Sequence, residues 1–116
     1  MNHETEINLE KQDDITIFDV QGDVTAFSEP FFTKAYETAN DQAACKILLK
    51  FTEDAYINSG GIAILIQLLA QTKRNNQQIC ITGLSNHFKK IFNMVGITKF
   101  AQIYNTVEDA VNDMAM

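Results

Sequence analysis

Four residue types in this chain could do chemistry: serine, histidine, cysteine and clustered carboxylates. Ser59 is the serine whose context is most telling, within Tyr56-Ile57-Asn58-Ser59-Gly60-Gly61. A serine nucleophile on a sharp strand-to-helix turn would fit the pattern G-x-S-x-G, but position 57 is Ile57 rather than glycine. It would also need a base, and the only histidines are His3 and His87. His87 sits beside Lys89 and Lys90 with no carboxylate arranged nearby in sequence to orient it, so hydrolase chemistry has no support. Two distant histidines and two cysteines in apolar segments, Cys45 and Cys80, do not make a metal site. The cysteines, 35 residues apart with no C-x-x-C motif, are expected to be buried free thiols of a reducing compartment. No catalytic residue, metal or cofactor is expected.

What Ser59 does have is a place at a helix start. It follows the apolar run Ile47-Leu48-Leu49-Lys50-Phe51 and precedes the apolar stretch Ile62 to Ala70. A strand followed by a helix puts it at the first turn, where backbone N–H groups lack partners and the helix dipole is positive. A phosphate, bound or covalently attached, is accommodated there. Gly60 and Gly61 could cradle a phosphate, although the loop lacks the lysine of a P-loop. They could equally serve close packing of the helix start on the sheet.

The elements that must position this turn follow from periodicity. Ile7 and Leu9 alternate with polar residues, and Ile15, Ile17, Phe18 and Val20 form a second strand, with Asp13-Asp14 between them as a hairpin turn. Gly22-Asp23 ends that strand. Ser28 reads as the N-cap of a first helix, with Pro30 in its first turn and Phe32, Ala35, Tyr36 and Ala39 as its stripe. The third strand is Lys46 to Phe51. The second helix runs from about Gly60 to Asn75 with Ile62, Leu65, Ile66 and Leu69 as its main stripe. Gln78 to Thr82 is the fourth strand, ended by Gly83-Leu84. Ser85 caps a third helix bearing Phe88, Ile91, Phe92 and Val95, closed by Gly96 as a left-handed residue. Phe100 to Tyr104 is a short fifth strand, and Thr106 caps a last helix with Val107, Ala110, Val111 and Met114.

The expected architecture is a single α/β domain over residues 1–116: a mainly parallel sheet of about five strands with an N-terminal hairpin and four helices. A chain of 116 residues with 46% hydrophobic content fills one core. Ile64 and Leu68 fall outside the main stripe of the second helix. They either pack against a neighbouring helix or form an exposed apolar strip beside Ser59.

Charge limits the partners. The net charge of −6 argues against non-specific nucleic-acid binding. Up to Asn58 there are twelve Asp/Glu against four Lys/Arg, and beyond it three against five. The acidic part either recruits a basic partner or is a solvated surface. The N-terminus reads as polar and acidic rather than as a leader, and the longest apolar stretch is too short to span a bilayer. The expectation is a cytoplasmic protein with no membrane insertion.

With these pieces in order, the chain resembles a STAS domain of the bacterial anti-sigma factor antagonist family over nearly its whole length. The resemblance rests on the hairpin start, Gly22-Asp23, Asn58-Ser59-Gly60-Gly61-Ile62, Gly83-Leu84 and Val95-Gly96-Ile97. The family's central pattern is Asp-Ser-Ser/Ala-Gly before an apolar helix; here Asn58 replaces the aspartate and Gly60 follows the serine. The resemblance implies that Ser59 is phosphorylated by an anti-sigma factor that is also a serine kinase. It implies that the unphosphorylated form binds that factor, and that a serine phosphatase acting on phosphorylated Ser59 restores it. The alternative roles it implies are a STAS subunit of a lipid-transport or stressosome-type scaffold complex, or the tail of an anion transporter, against which the lack of a transmembrane segment counts. The expected docking surface joins Asp23, Tyr56, Asn58, Ser59, Gly60 and Gly61 to Gly83-Leu84, with Ile64 and Leu68 adding apolar area.

Overall fold

The computed structural model describes residues 4–115. Strands β1 (Glu6–Gln12) and β2 (Ile15–Gln21) form the expected antiparallel hairpin, with Gln12 opposite Ile15. The two-residue turn needs a left-handed residue, and Asp13 supplies it at φ 57°, a conformation that short polar side chains tolerate. Lys46 Nζ lies 3.0 Å from Asp14 and draws its carboxyl below the usual carboxylate range, fastening the turn to the next strand.

From β2 onward the chain alternates: α1 (Glu29–Asp41), β3 (Lys46–Lys50), α2 (Ser59–Arg74), β4 (Gln78–Thr82), α3 (Asn86–Met94), β5 (Gln102–Tyr104) and α4 (Val107–Met114). The sheet order is β1-β2-β3-β4-β5, with β2 to β5 parallel and β1 antiparallel. Each right-handed crossover moves one strand in the same direction, so α1, α2 and α3 lie on one face of the sheet. Helix α4 folds back across the other.

Alternation along the strands feeds both faces. Phe18, Val20, Ile47, Leu49, Ile79 and Ile81 point into the larger core with the first three helices. Ile15, Ile17, Leu48 and Cys80 point to the smaller one under Ala110, Val111 and Met114 of α4. Caps match the sequence at two helices: Ser85 accepts the Phe88 N–H at 3.3 Å, and Thr106 accepts the Asp109 N–H at 3.0 Å. Gly96 is left-handed, at φ 85°.

Four details depart from the sequence reading. Ser28 is the N-cap position of α1 but makes no cap hydrogen bond to it. Its hydroxyl instead accepts the Thr25 N–H at 2.9 Å, closing a capping box over the 3₁₀ turn Ala26–Ser28, and contacts the Thr5 hydroxyl. A further 3₁₀ turn, Ile97–Lys99, takes up the approach to β5, which therefore begins only at Gln102. Cys45 is exposed because it stands in the connection before β3, whereas Cys80 lies within β4 and is buried.

The fourth departure is the buried face of α2. It comprises Gly61, Ile64, Leu65, Leu68, Leu69 and Thr72, while Ile62 and Ile66 are only partly covered. Ile64 and Leu68 are 7% and 4% exposed, so they do not form an exposed apolar strip. The helix is covered from two directions, by the sheet and by α1. Ile64 and Leu68 meet the α1 side, where Phe32 and Tyr36 line the same groove. The Tyr36 hydroxyl donates to Gln77 Oε1 at 2.6 Å and accepts from Asn75 Nδ2 at 2.7 Å, tying α1 to the turn after α2.

Leu68→Ala should therefore lower stability by about 2–5 kcal/mol, the range for a buried leucine truncated in a packed core. Chemical denaturation followed by circular dichroism measures this, and a loss below about 0.5 kcal/mol, as at surface sites, would contradict the burial. The two thiols should also separate. Burial, followed by the charge of Asp113, pushes the Cys80 thiol up to about 11. At pH 8 its thiolate fraction is then about one in a thousand. In the folded protein iodoacetamide should alkylate Cys45 and leave Cys80, with both reacting after denaturation; mass spectrometry of the labelled peptides reads the difference.

Candidate functional site

The parallel strands β2, β3 and β4 deliver their C-terminal ends to one edge of the sheet, where ligands of open α/β sheets gather. Two connections meet there. After Gly22, left-handed at φ 83°, the chain turns so that Val24 runs beside Ile57 as an isolated parallel bridge. The Val24 N–H donates to the Tyr56 carbonyl at 2.9 Å, and the Asn58 N–H donates to the Val24 carbonyl at 3.1 Å. The loop between β3 and α2 is thereby held against the loop after β2.

Asn58 is the N-cap of α2. Its backbone is extended, and its side-chain Oδ1 accepts the Gly61 N–H at 2.9 Å. Ser59 is the first residue of the helix and is exposed, and among the described residues its hydroxyl makes no hydrogen bond. The N–H groups of Ser59 and Gly60 have no intrahelical acceptor in the first turn.

The paired glycines have a steric cause. A Cβ on Gly61 would stand 2.3 Å from the Val24 carbonyl oxygen, a distance no side chain tolerates. A Cβ on Gly60 would stand 3.0 Å from both the Cβ and the N of Ala26. The helix start therefore leans directly on the Val24–Ala26 backbone, which is the close-packing reading of the two glycines.

A cleft of about 530 Å³ opens beside this contact, lined by Glu4, Thr5, Asp23, Thr25, Phe27, Ser28, Phe31 and Asn58. Its floor is polar and occupied. The Thr5 hydroxyl donates to the Asp23 carbonyl at 2.5 Å, and the Ser28 hydroxyl reaches the same carbonyl at 3.4 Å. Its rim is aromatic: Phe27 is 88% exposed and Phe31 43%.

Of the expected surface residues, Asp23, Asn58, Ser59 and Gly60 gather at this edge, with Tyr56 beside them and 55% exposed. Gly83 is at the end of β4, left-handed at φ 85°, where a Cβ would meet the Phe51 carbonyl oxygen at 1.8 Å. Leu84, Gly61, Ile64 and Leu68 are buried, so their side chains or backbone support the site from behind instead of facing outward. The residues the sequence reading passed over are Phe27 and Phe31. Phe31 could have been noticed, because adjacent Phe31 and Phe32 on one helix cannot both face the core.

The chemistry available is correspondingly narrow. His87 is exposed on α3, its ring 5.1 Å from that of Phe88, with no hydrogen bond to Ser59; His3 lies outside the described residues. Among the described residues no cluster of His, Cys, Asp or Glu could hold a metal. Nor, among the described residues, is any helix long and apolar enough to cross a membrane. What remains is an accessible hydroxyl at the positive end of a capped 16-residue helix.

Solved structures share this arrangement of elements. A candidate anti-sigma factor antagonist from Thermotoga maritima superposes with a TM-score of 0.83 at 14% identity, over 95% of both chains. An anti-sigma factor antagonist from Mycobacterium paratuberculosis gives 0.80 at 15% identity, over 97% of this chain and 96% of that one. The anti-sigma factor antagonist SpoIIAA in its unphosphorylated form gives 0.70 at 15% identity, over 95% and 97%. At such identities the likeness is one of fold. Residues 6–110 match the STAS domain family model, spanning every strand and the first half of α4, and the chain accordingly belongs to the STAS domain family.

Proposed function

We propose that this domain is a phosphorylation-controlled binding module, an anti-sigma factor antagonist that works by partner switching, with Ser59 as the switch. The observation that carries this reading is the exposed Ser59 hydroxyl at the start of α2, beside a cap that Asn58 already satisfies. The likeness to SpoIIAA, solved in unphosphorylated and phosphorylated forms, supports it. The unmodified domain binds an anti-sigma factor that is also a serine kinase. Phosphorylation of Ser59 releases the domain, and a serine phosphatase restores it.

The physical steps are local. A phosphate on Ser59 sits at the positive pole of α2, within reach of first-turn N–H groups, so the helix need not unwind. It adds nearly two negative charges beside a cleft that already carries Glu4 and Asp23. A partner that closes over this edge must desolvate that charge, which costs several kcal/mol without a cation to receive it. The domain contributes no catalysis of its own in this scheme: among the described residues no base is hydrogen-bonded to Ser59.

Incubation with the cognate kinase and ATP should place the phosphate on Ser59, as peptide mass spectrometry will locate it, and Ser59→Ala should abolish labelling. In titration calorimetry against the kinase, Ser59→Ala should bind as wild type does. Ser59→Asp should bind at least about tenfold more weakly, or roughly 1.4 kcal/mol, and less weakly than phosphoserine, which carries more charge. Asn58→Asp retains the cap and restores the family's usual neighbour of the acceptor, so it should speed phosphorylation. Equal affinities for wild type, Ser59→Ala and Ser59→Asp would move the switch elsewhere.

A further inference from the structure

The charge asymmetry of the sequence becomes a spatial one in the fold. From Ala55 to Val107 the chain has no Asp or Glu, yet it carries Lys73, Arg74, Lys89, Lys90 and Lys99. Helix α2 ends, α3 ends and the turn before β5 lies at the edge of the sheet opposite Ser59, because each crossover returns the chain to the N-terminal ends of the parallel strands. Met94 is 83% exposed there, and Val95 and Phe100 are also exposed. Lys73 Nζ stands 5.4 Å from the centroid of the Phe100 ring, and Lys99 precedes that ring in the chain. Lys90 is one helical turn from Met94 and exposed. This end is an apolar knob bordered mainly by cations, with Asp113 lining the groove beside Lys99 and Phe100. The acidic residues of the same end, Asp13, Asp14 and Asp41, belong to the hairpin turn and α1, toward the other edge strand. Asp113, at the end of α4, accepts from the Tyr104 hydroxyl.

The Ser59 end has the complementary character. Its cleft presents Glu4 and Asp23 with the exposed rings of Phe27 and Phe31, and no lysine or arginine lines it. The two surfaces point in opposite directions along the strands, a strand length of about 17 Å apart, so one copy cannot satisfy them internally.

We propose that this domain associates head to tail with a second copy of itself, the Met94/Val95/Phe100 knob with Lys73, Lys90 and Lys99 entering the acidic aromatic cleft of the next protomer. Such a contact is heterologous and therefore repeats, giving open chains instead of a closed dimer unless the rotation happens to close a ring. Apolar area supplies the contact, and opposite charge supplies its direction and its salt dependence. The inference does not depend on phosphorylation or on any kinase, so it stands or falls separately from the switch.

Sedimentation velocity tests it on the purified domain alone. At low ionic strength the weight-average mass should rise with concentration past two protomers, and at about 0.5 M salt it should fall toward one, as screening shortens the reach of the charges. A tail variant, Met94→Ser with Lys99→Glu, and a head variant, Phe27→Ser with Asp23→Lys, should each remain single. Mixed together they should form one capped dimer, since each retains the surface the other lacks. Phe27 and Met94 are among the most exposed side chains, so circular dichroism should show both variants folded. Single protomers under all conditions would overturn the proposal. So would a dimer of fixed size in the wild type, or variants that associate as the wild type does.

Discussion

The site depends on a backbone contact: the parallel bridge of Val24 with Ile57, over which the start of α2 is laid. Two hydrogen bonds hold the bridge, and Gly61 allows the helix to approach the Val24 carbonyl closer than any side chain permits. Through this contact the loop after β2 and the loop before α2 become one surface. Without it, Ser59 would sit on a free loop tip, with no fixed relation to the cleft at Asp23 and Phe27. The same contact turns Ile64 and Leu68 toward α1, because fixing the helix start against Val24–Ala26 also fixes its rotation.

That geometry gives the paired glycines their meaning. A Gly-Gly at a helix start can serve an anion, a turn or a close approach, and sequence alone leaves these open. Here the distances to Val24 and Ala26 account for both glycines sterically, and the anion-binding quality of the site comes from the helix end itself. Asn58 satisfies one of the first-turn donors and leaves others facing outward beside Ser59.

Much of this was legible in the sequence for a simple reason: strands and helices alternate, with Gly22 and Gly83 closing strands and Gly96 left-handed where expected. The order of elements, the hairpin and the place of Ser59 follow from period and punctuation. What could not be read is which of several apolar faces a helix buries. On α2, Ile62, Ile64, Leu65, Ile66, Leu68 and Leu69 surround more than half the circumference, and the anchored helix start together with the position of α1 puts Ile64 and Leu68 inside. Phe27 was equally opaque, since its exposure depends on a 3₁₀ turn that Thr25 and Ser28 create between them. Cys45 shows the same limit: one residue outside a strand, an apolar neighbourhood in sequence no longer implies burial.

A switch at this position would separate stability from recognition. The cores on both faces of the sheet lie behind the Ser59 turn, and the residues that fix the turn, Val24, Ile57 and Gly61, are buried. The Ser59 side chain is exposed, and among the described residues its hydroxyl makes no hydrogen bond. Added charge there meets a helix dipole of favourable sign, worth about 0.3–1 kcal/mol at an exposed site. That is small against the several kcal/mol for desolvating the same charge under a docked partner. The difference between those magnitudes is what would let a modification act on binding while leaving the domain folded.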